Sequence, residues 1–246
     1  MTIQLTNQVC ARSELSDETL AAMTALFAEH FAAVNPARFA QDLAGKDWVI
    51  LLREPTTGAL QGFSSLALYT TVYQGQPISV VYSGDTIIRP AFWGTPELPR
   101  TWIKTVLARS AELSQPLYWL LLSSGYKTYR FLPVFYRHFY PRYDQPTPPA
   151  IQHLIDHLAC ERFGADYDQA SGVVRFTNGA TPLRHGIADL SRERMADPHI
   201  AYFLARNQGH QQGDELVCLT QIHLDNLTAA GRRMVRQPEA SPAVKR

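Results

Sequence analysis

The sequence has 246 residues, a hydrophobic content of 46%, a charged content of 18% and a formal net charge of +1. Such a chain is expected to fold around a sizeable core, and its small net charge excludes a global field that draws it onto nucleic acid or a membrane surface. No apolar run of about 18 residues occurs, so we expect no membrane-spanning helix. The N-terminal residues lack the pattern of a signal peptide and the three cysteines are widely spaced, which together predict a cytoplasmic protein without disulfides.

The first part of the chain predicts two helices followed by three strands. Ser16 is a helix cap followed by two acids, and apolar residues recur after it at helical spacing. A second helix begins at Asn35-Pro36 and ends at Gly45. The strands are predicted at Asp47–Glu54, Ala59–Thr70 and Pro77–Ile88. The short link between the last two favours an antiparallel pair.

The middle of the chain predicts a strand, a loop, a helix and a further strand. The loop covers 90–95, and Thr95 caps a helix at Pro96–Leu113. A buried strand follows at Leu117–Ser123, and the segment 126–143 is predicted as one helix bent near Pro133. The remaining elements are a helix at Pro148–Phe163, a strand at Gly172–Thr177, a helix around Ile200–Asn207 and a strand at Glu215–His223.

This order predicts a mixed α/β fold with α+β character, in which helices flank a central, mostly antiparallel sheet of six or seven strands. Because nearly all connections are short, we expect one domain over residues 1–230. Its best-defined core covers 1–145, and residues 146–230 complete the sheet. Residues 231–246 are polar and contain two prolines, so a flexible tail is expected there.

The element order of residues 1–145 resembles the GNAT superfamily, named for N-acetyl transfer to amines. The resemblance implies a sheet that splays after the strand at Val80–Ile88. It also implies a loop at 90–95 whose backbone N–H groups hold the pyrophosphate of coenzyme A beside a helix N-terminus. An acyl thioester is then a co-substrate, and no tightly bound cofactor is implied.

The loop departs from the family pattern. It carries one glycine, Gly94, where the family usually has several, and Pro96 has no N–H to donate. The resemblance therefore leaves two donors open: acyl-coenzyme A, or an acyl carrier protein, whose phosphopantetheine arm needs no pyrophosphate cradle. The residues that it places at the donor are Ile88, Arg89, Trp93, Gly94, Thr95, Lys127 and Arg130.

Asp85 is an acid inside a β-rich strand, and a half-buried carboxylate needs a partner or a task. In the GNAT superfamily a carboxylate on this strand often serves as the general base toward the acceptor amine, and burial raises its pKa toward a useful range. The alternative is a structural acid that accepts hydrogen bonds, with Gly84 marking a β-bulge.

Tyr136 is the second catalytic candidate, since the family often has a tyrosine after the fifth strand that protonates the leaving thiolate. The alternative is an aromatic core, because Phe131, Phe135 and Phe139 recur at helical spacing around it.

The segment Leu113–Tyr143 has four basic residues and no Asp or Glu. It is interpreted either as a solvated face or as a site for coenzyme A phosphates or the acidic surface of a carrier protein. Nucleic acid is not expected, because the net charge of the chain is small.

No metal site is predicted. His153, His157 and Cys160 share a helix, but no second cluster completes a set of ligands. His210, in a polar loop before a strand, is an alternative base.

We therefore expect an N-acyltransferase that moves an acyl group, of medium or long chain, to a small-molecule or peptide amine. Phe63, Phe92, Trp93 and Phe131 are the expected apolar lining. The alternatives are a non-catalytic module that binds acyl groups, coenzyme A or a carrier protein, and a synthase of N-acyl amino acids or acyl signals. No pattern indicates an oligomeric state.

Overall fold

The computed structural model describes residues 4–177, 180–187 and 192–236. Its strands form one mixed sheet in the order β1-β2-β3-β4-β5-β9-β8-β7, and β6 pairs separately with β9. The strands are β1 (Thr6–Ala11), β2 (Trp48–Arg53), β3 (Leu60–Tyr73), β4 (Gln76–Ile88), β5 (Leu117–Ser123), β6 (Phe139–Tyr140), β7 (Tyr167–Asp168), β8 (Val173–Val174) and β9 (Glu215–Gln221). Only the pairing of β4 with β5 is parallel among these strands, so the sheet is mostly antiparallel.

Helices cover both faces of the sheet. They are α1 (Asp17–His30), α2 (Pro36–Ala44), α3 (Glu97–Glu112), α4 (Tyr126–Tyr129), α5 (Phe131–Phe135), α6 (Pro149–Phe163), α7 (Arg192–Met195), α8 (Pro198–Arg206) and α9 (Ala229–Val235). The core under α3 takes alternate residues of β5, such as Trp119 and Leu121, while Leu120 and Leu122 pack on the opposite face with α6. α1 and α2 cover that opposite face at the other end of the sheet.

The sheet splays between β4 and β5. The two strands pair from Ser79 with Leu117 to Ser83 with Leu121. β4 then continues to Ile88, where it is paired only with β3 in the described chain. The edge of β4 beyond Ser83 therefore faces a gap, and α3 packs beside it.

The predicted fold class is confirmed, and so is the splay after the fourth strand. The predicted number of strands was too low, because β6, β7 and β8 are only two residues long and β1 was not located. The strand predicted at Gly172–Thr177 shrinks to β8. α9 runs past the predicted start of the tail at Gly231, and residues 237–246 lie outside the described chain.

Two helix predictions were wrong. Pro96, not Thr95, occupies the cap position of α3, and it has no side chain that can cap. The single helix predicted over 126–143 is instead α4, α5 and β6, because Phe139 and Tyr140 pair with β9. Among the described residues, no helix is both long and apolar enough to cross a bilayer.

Candidate functional site

A cavity of about 1380 Å³ lies at the splay and is lined from both faces of the sheet. Trp119 and Leu121 line it on the side of α3, whereas Tyr82 and Leu122 line it on the side of α6. Side chains of adjacent residues in a strand point to opposite faces, so a cavity that reaches both sets passes through the sheet. Two ligands can therefore enter from opposite faces and meet in the gap.

Four carboxylates line one end of this cavity, which we call the acidic end: Asp42 from α2, Asp85 from β4, Glu161 from α6 and Glu215 from β9. They come from four different elements that are far apart in the chain. The fold, not a sequence motif, brings them together.

Asp85 and Glu215 reach the acidic end because both flank the point at which β5 stops. The pairing of β4 with β5 ends at Ser83, two residues before Asp85. β9 pairs with the last residue of β5, Ser123, through Leu216, which directly follows Glu215. The two carboxylates therefore come from strands that are not neighbours in the sheet.

A β-bulge positions Asp85. On β4, Gly84 and Asp85 lie opposite the single residue Ser65 of β3. A bulge interrupts the alternation of side chains and re-aims the residue that it carries. The Gly-Asp pair inside the strand therefore marks a change of side-chain direction at the splay.

Burial and neighbouring charges shift the pKa values of the carboxyl groups at the acidic end. Burial and, to a smaller extent, the charge of Asp42 raise the pKa of Asp85, Lys46 lowers it, and the net pKa is about 7. Burial also raises the pKa of Glu215 to about 8, helped by the charges of Asp85 and Asp42. A half-buried carboxyl group with a pKa near 7 can accept a proton and release it again at neutral pH.

Cations lie beside these acids, among them Arg38, Lys46 and Arg162. The side chain of Lys46 is fully buried and its Nζ lies 2.5 Å from Asp42 Oδ2. The Arg162 guanidinium lies 3.7 Å from the centroid of the Tyr82 ring and lines the cavity. The acidic end is thus partly compensated, as buried charges require.

The other end of the cavity, which we call the aromatic end, is apolar. Trp102 and Trp119 pack in a tilted pair with their ring centroids 4.0 Å apart, and Phe131 meets both rings edge-on. Leu98 and Phe135 extend the same lining. Of the predicted apolar lining, Trp93 and Phe131 face the cavity, whereas Phe63 and Phe92 are not part of the lining.

The loop before α3 offers few free backbone donors. Gly94 adopts a φ of 89°, a left-handed conformation that favours glycine. The N–H of Thr95 donates to the carbonyl of Phe92. Pro96 and Pro99 have no N–H, although both lie where a helix N-terminus normally presents one.

Glu97 also alters this helix N-terminus. It occupies the first turn of α3 and is only 5% exposed. A carboxylate here competes with an external anion for the positive end of the helix dipole. The predicted loop lines the cavity, but it differs from a pyrophosphate cradle in both donors and charge.

Six of the seven residues predicted at the donor line the cavity: Ile88, Trp93, Gly94, Thr95, Lys127 and Arg130. The exception is Arg89, which lies outside the lining and forms an ion pair of 2.7 Å with Glu29.

The two predicted cations of the lining already have contacts. Lys127 Nζ lies 2.9 Å from the centroid of the Trp93 ring and donates to the carbonyl of Ile187. Arg130 forms an ion pair of 3.1 Å with Asp197. Both line the cavity and are partly exposed, so they can attract an anion.

Tyr136 lies away from the cavity. It directly follows α5, is 2% exposed and packs with its ring centroid 5.9 Å from that of Trp119. Its hydroxyl has no hydrogen-bond partner among the described residues, and burial raises its pKa. The structure thus places Tyr136 in the aromatic core and not in the lining.

Tyr126 is the tyrosine that the sequence reasoning missed. It begins α4 directly after β5 and lines the cavity. Its hydroxyl accepts a hydrogen bond of 2.5 Å from Arg194 Nη1. The usable signal was its position immediately after Ser124-Gly125, where the chain leaves the end of β5.

The other candidates from the sequence are not part of this site. Within the described ranges, no three His, Cys, Asp or Glu side chains are arranged to hold a metal ion. His210 Nδ1 lies 2.9 Å from the Asn207 carbonyl, and His210 is not a lining residue.

The fold is GNAT-like: its two parallel central strands separate beside a helix and leave a through-cavity between them. No family model matches the chain, and no curated protein matches its sequence.

Several solved structures resemble the chain at low sequence identity. The GNAT family N-acetyltransferase YhbS of Escherichia coli, solved with coenzyme A, is 16% identical with a TM-score of 0.38; the match covers 52% of this chain and 68% of that one. A Trypanosoma brucei acetyltransferase is 18% identical with a TM-score of 0.39, over 59% of this chain and 100% of that one. The N-myristoyltransferase of Saccharomyces cerevisiae, solved with myristoyl-CoA, is 17% identical with a TM-score of 0.39, over 48% of this chain and 29% of that one. Likeness at this level concerns the path of the chain and carries no information on activity.

Proposed function

We propose that the protein is an N-acyltransferase that moves an acyl group from a thioester to an amine. One observation carries the proposal: a single through-cavity joins the acidic end, where burial raises the pKa of Asp85, to the aromatic end, where apolar rings can line an acyl chain. An amine acceptor needs a proton acceptor, and an acyl donor needs an apolar channel. The two requirements meet at the splay.

The reaction follows from these positions. The amine enters at the acidic end as an ammonium ion, and the carboxylate of Asp85 removes one proton from it. The free amine attacks the thioester carbonyl carbon, and backbone N–H groups on the unpaired edge of β4 stabilise the oxyanion. The carbon–sulfur bond then breaks, Tyr126 donates its hydroxyl proton to the leaving thiolate, and the second proton on the attacking nitrogen passes through water to the tyrosinate. The products are an amide and a free thiol, and water takes the first proton from Asp85.

Tyr126 takes the role that the family resemblance assigned to Tyr136. A proton donor must lie within hydrogen-bond reach of the group that it protonates. Tyr126 lines the cavity, whereas the hydroxyl of Tyr136 is enclosed in the core. The guanidinium of Arg194 at the Tyr126 hydroxyl stabilises the tyrosinate that forms after proton donation.

The donor is a thioester whose acyl chain is longer than acetyl, because the aromatic end continues past Trp119 to Phe131 and Phe135. The loss of N–H donors at Pro96 and Pro99 favours a phosphopantetheine arm presented by an acyl carrier protein over free coenzyme A. The acceptor is a small-molecule or peptide amine that enters beside Asp85.

The same loop supports a second candidate, a non-catalytic module that binds acyl thioesters on this scaffold. It predicts donor binding without product. Incubation with short- and long-chain acyl-coenzyme A, acyl carrier protein and a panel of amines, read by mass spectrometry, separates the two. An amide product supports the enzyme, and donor binding without amide in every mixture supports the module.

A further inference from the structure

Lys46 is a buried lysine that the proposed reaction leaves without a task. It follows α2, and its whole side chain is inaccessible to solvent. Its Nζ donates to Asp42 Oδ2 at 2.5 Å and to the Asp42 carbonyl at 3.2 Å. It also lies 5.2 Å from the centroid of the Tyr82 ring. A buried ammonium is costly to place, so such a position needs a reason.

Gly84 makes the space that Lys46 occupies. A Cβ atom at Gly84 would lie 2.6 Å from Lys46 Cε, 3.1 Å from Lys46 Nζ and 2.8 Å from Ser65 Oγ. Real side chains do not approach so closely, so any residue other than glycine forces the lysine to move. Gly84 directly precedes Asp85 in the bulge. The absent side chain of Gly84 therefore leaves room for the Lys46 ammonium beside the residue that carries the carboxylate.

Charged and titratable groups line this end of the cavity from several elements: Arg38 and Asp42 on α2, Tyr82 on β4, Glu161 and Arg162 on α6 and Glu215 on β9. Three of them are carboxyl groups, and carboxylates that share a site hold protons to higher pH. Arg38 and Arg162 are exposed residues, whereas the side chain of Lys46 is fully buried. Among the described residues of the acidic end, Lys46 is therefore the enclosed positive charge.

We propose that Lys46, admitted by the absent side chain of Gly84, is a positioning residue that keeps Asp85 an ionised proton acceptor at neutral pH. The inference rests on the proposed function, because it concerns how the same acid is prepared. It adds a second role for the Gly-Asp pair: the glycine sets the charge of the acid that follows it. It is consistent with the lowering effect of Lys46 on the pKa of Asp85.

The test is a carboxyl-carbon NMR titration of Asp85 in the full chain. Lys46→Met keeps the length of the side chain but removes its charge, and the Asp85 midpoint is expected to rise by roughly one pH unit or more. Gly84→Ala, which displaces the ammonium, is expected to move the midpoint in the same direction. Gly45→Ala is the matched control, because its Cβ meets only the Asp42 carbonyl at 3.4 Å. An Asp85 midpoint that stays in place in both Lys46→Met and Gly84→Ala overturns the proposal.

If Lys46→Met does not fold, the Asp85 midpoint is measured in Asp42→Asn instead. It removes one neighbouring negative charge and leaves the ammonium less compensated, so the Asp85 midpoint is expected to fall. An unchanged midpoint means that the pair of Lys46 and Asp42 does not act on Asp85, and this overturns the inference.

Activity gives an independent reading. In a working enzyme the acid limb of the pH–rate profile moves with the NMR midpoint. Failure to detect acyl transfer in any mixture removes the proposed function, whereas the NMR titration still tests the role of Lys46.

Discussion

Asp85 raises the pKa of Glu215 although β5 lies between their two strands in the sheet. This electrostatic effect arises because β5 ends at Ser123, which leaves both carboxyl groups at the same end of the splay. Burial raises the pKa of both groups, to about 7 for Asp85 and about 8 for Glu215, and the charge of Asp85 adds to the increase at Glu215. Two carboxyl groups that oppose each other's ionisation do not both lose their protons readily at neutral pH, so one can accept a proton while the other keeps its own.

Glu215→Gln should stabilise the protein, and only at higher pH. The folded chain raises the pKa of Glu215 from 4.5 to about 8. Well below pH 4.5 Glu215 is protonated in both the folded and the unfolded chain, so its full contribution to the free energy of unfolding is present. As the pH rises toward 8 the unfolded chain ionises while the folded chain keeps its proton, and that stability is lost. Glutamine does not ionise, so the variant escapes this loss.

The measurement is urea unfolding of both proteins across this pH range. The advantage of Glu215→Gln is expected to grow from near zero at pH 4.5 to at least about 1 kcal/mol at pH 8 and then to level off. Glu18→Gln, at the exposed start of α1, is the control and should show no such growth. An advantage of Glu215→Gln that is equal at all pH values contradicts the prediction.

Tyr126→Phe and Tyr136→Phe should differ in their effects on turnover. Tyr126 lines the cavity, so loss of its hydroxyl removes the proton donor and is expected to lower kcat by about a hundredfold or more. The Tyr136 hydroxyl has no described partner, so Tyr136→Phe should leave kcat near normal and stability unchanged or slightly higher. Steady-state kinetics and thermal melts of both variants test this pair. Equal losses of kcat in the two variants would contradict the assignment of Tyr126 as the specific proton donor.

The donor loop should bind free coenzyme A weakly, with a Kd of tens of micromolar or more, because each hydrogen bond lost to a charged group costs about 1.5–3 kcal/mol. Pro96→Ala restores one N–H at the cap of α3 and is expected to tighten binding by roughly tenfold. Calorimetry with coenzyme A measures both proteins. Submicromolar binding by the natural chain means that other groups hold the pyrophosphate.

The sequence was most informative where one local signal dominates. β5 was predicted to the residue because LYWLLLS is an unbroken apolar run between a proline turn and Ser124-Gly125. α1 begins where Ser16 predicted, since the Ser16 side chain accepts a hydrogen bond from the Thr19 N–H. Caps and apolar runs act over a few residues, and a single sequence displays them fully.

Prediction failed where distant pairing overrides a local period. Phe131, Phe135 and Phe139 have helical spacing, yet the helix ends at Phe135. Tyr136 bridges to Leu227 and Phe139 pairs with Thr220, so strands from the end of the chain decide the structure of this segment. No local pattern carries that information.

The same distinction applies to the residues of the candidate site, because local signals revealed some of them and not others. Asp85 stood out because an acid inside a strand is unusual, and Gly94 because it is the single glycine of a loop in which the family usually has several. Glu215 and Asp42 gave no comparable signal, since each lies at an ordinary position in its own element. Their role arises from contacts across the splay, which only the three-dimensional arrangement reveals.

The central claim is tested most directly by the release of free thiol from an acyl thioester, measured with and without an amine for the natural chain and for Asp85→Asn. The natural chain is expected to release thiol only when the amine is present, with an acid limb near pH 7. Asp85→Asn should lose about a hundredfold to ten-thousandfold in turnover while remaining folded, because the amide cannot accept the proton. Asp17→Asn, on the exposed start of α1, serves as control. Thiol release that does not depend on the amine, or that Asp85→Asn leaves unchanged, contradicts the account.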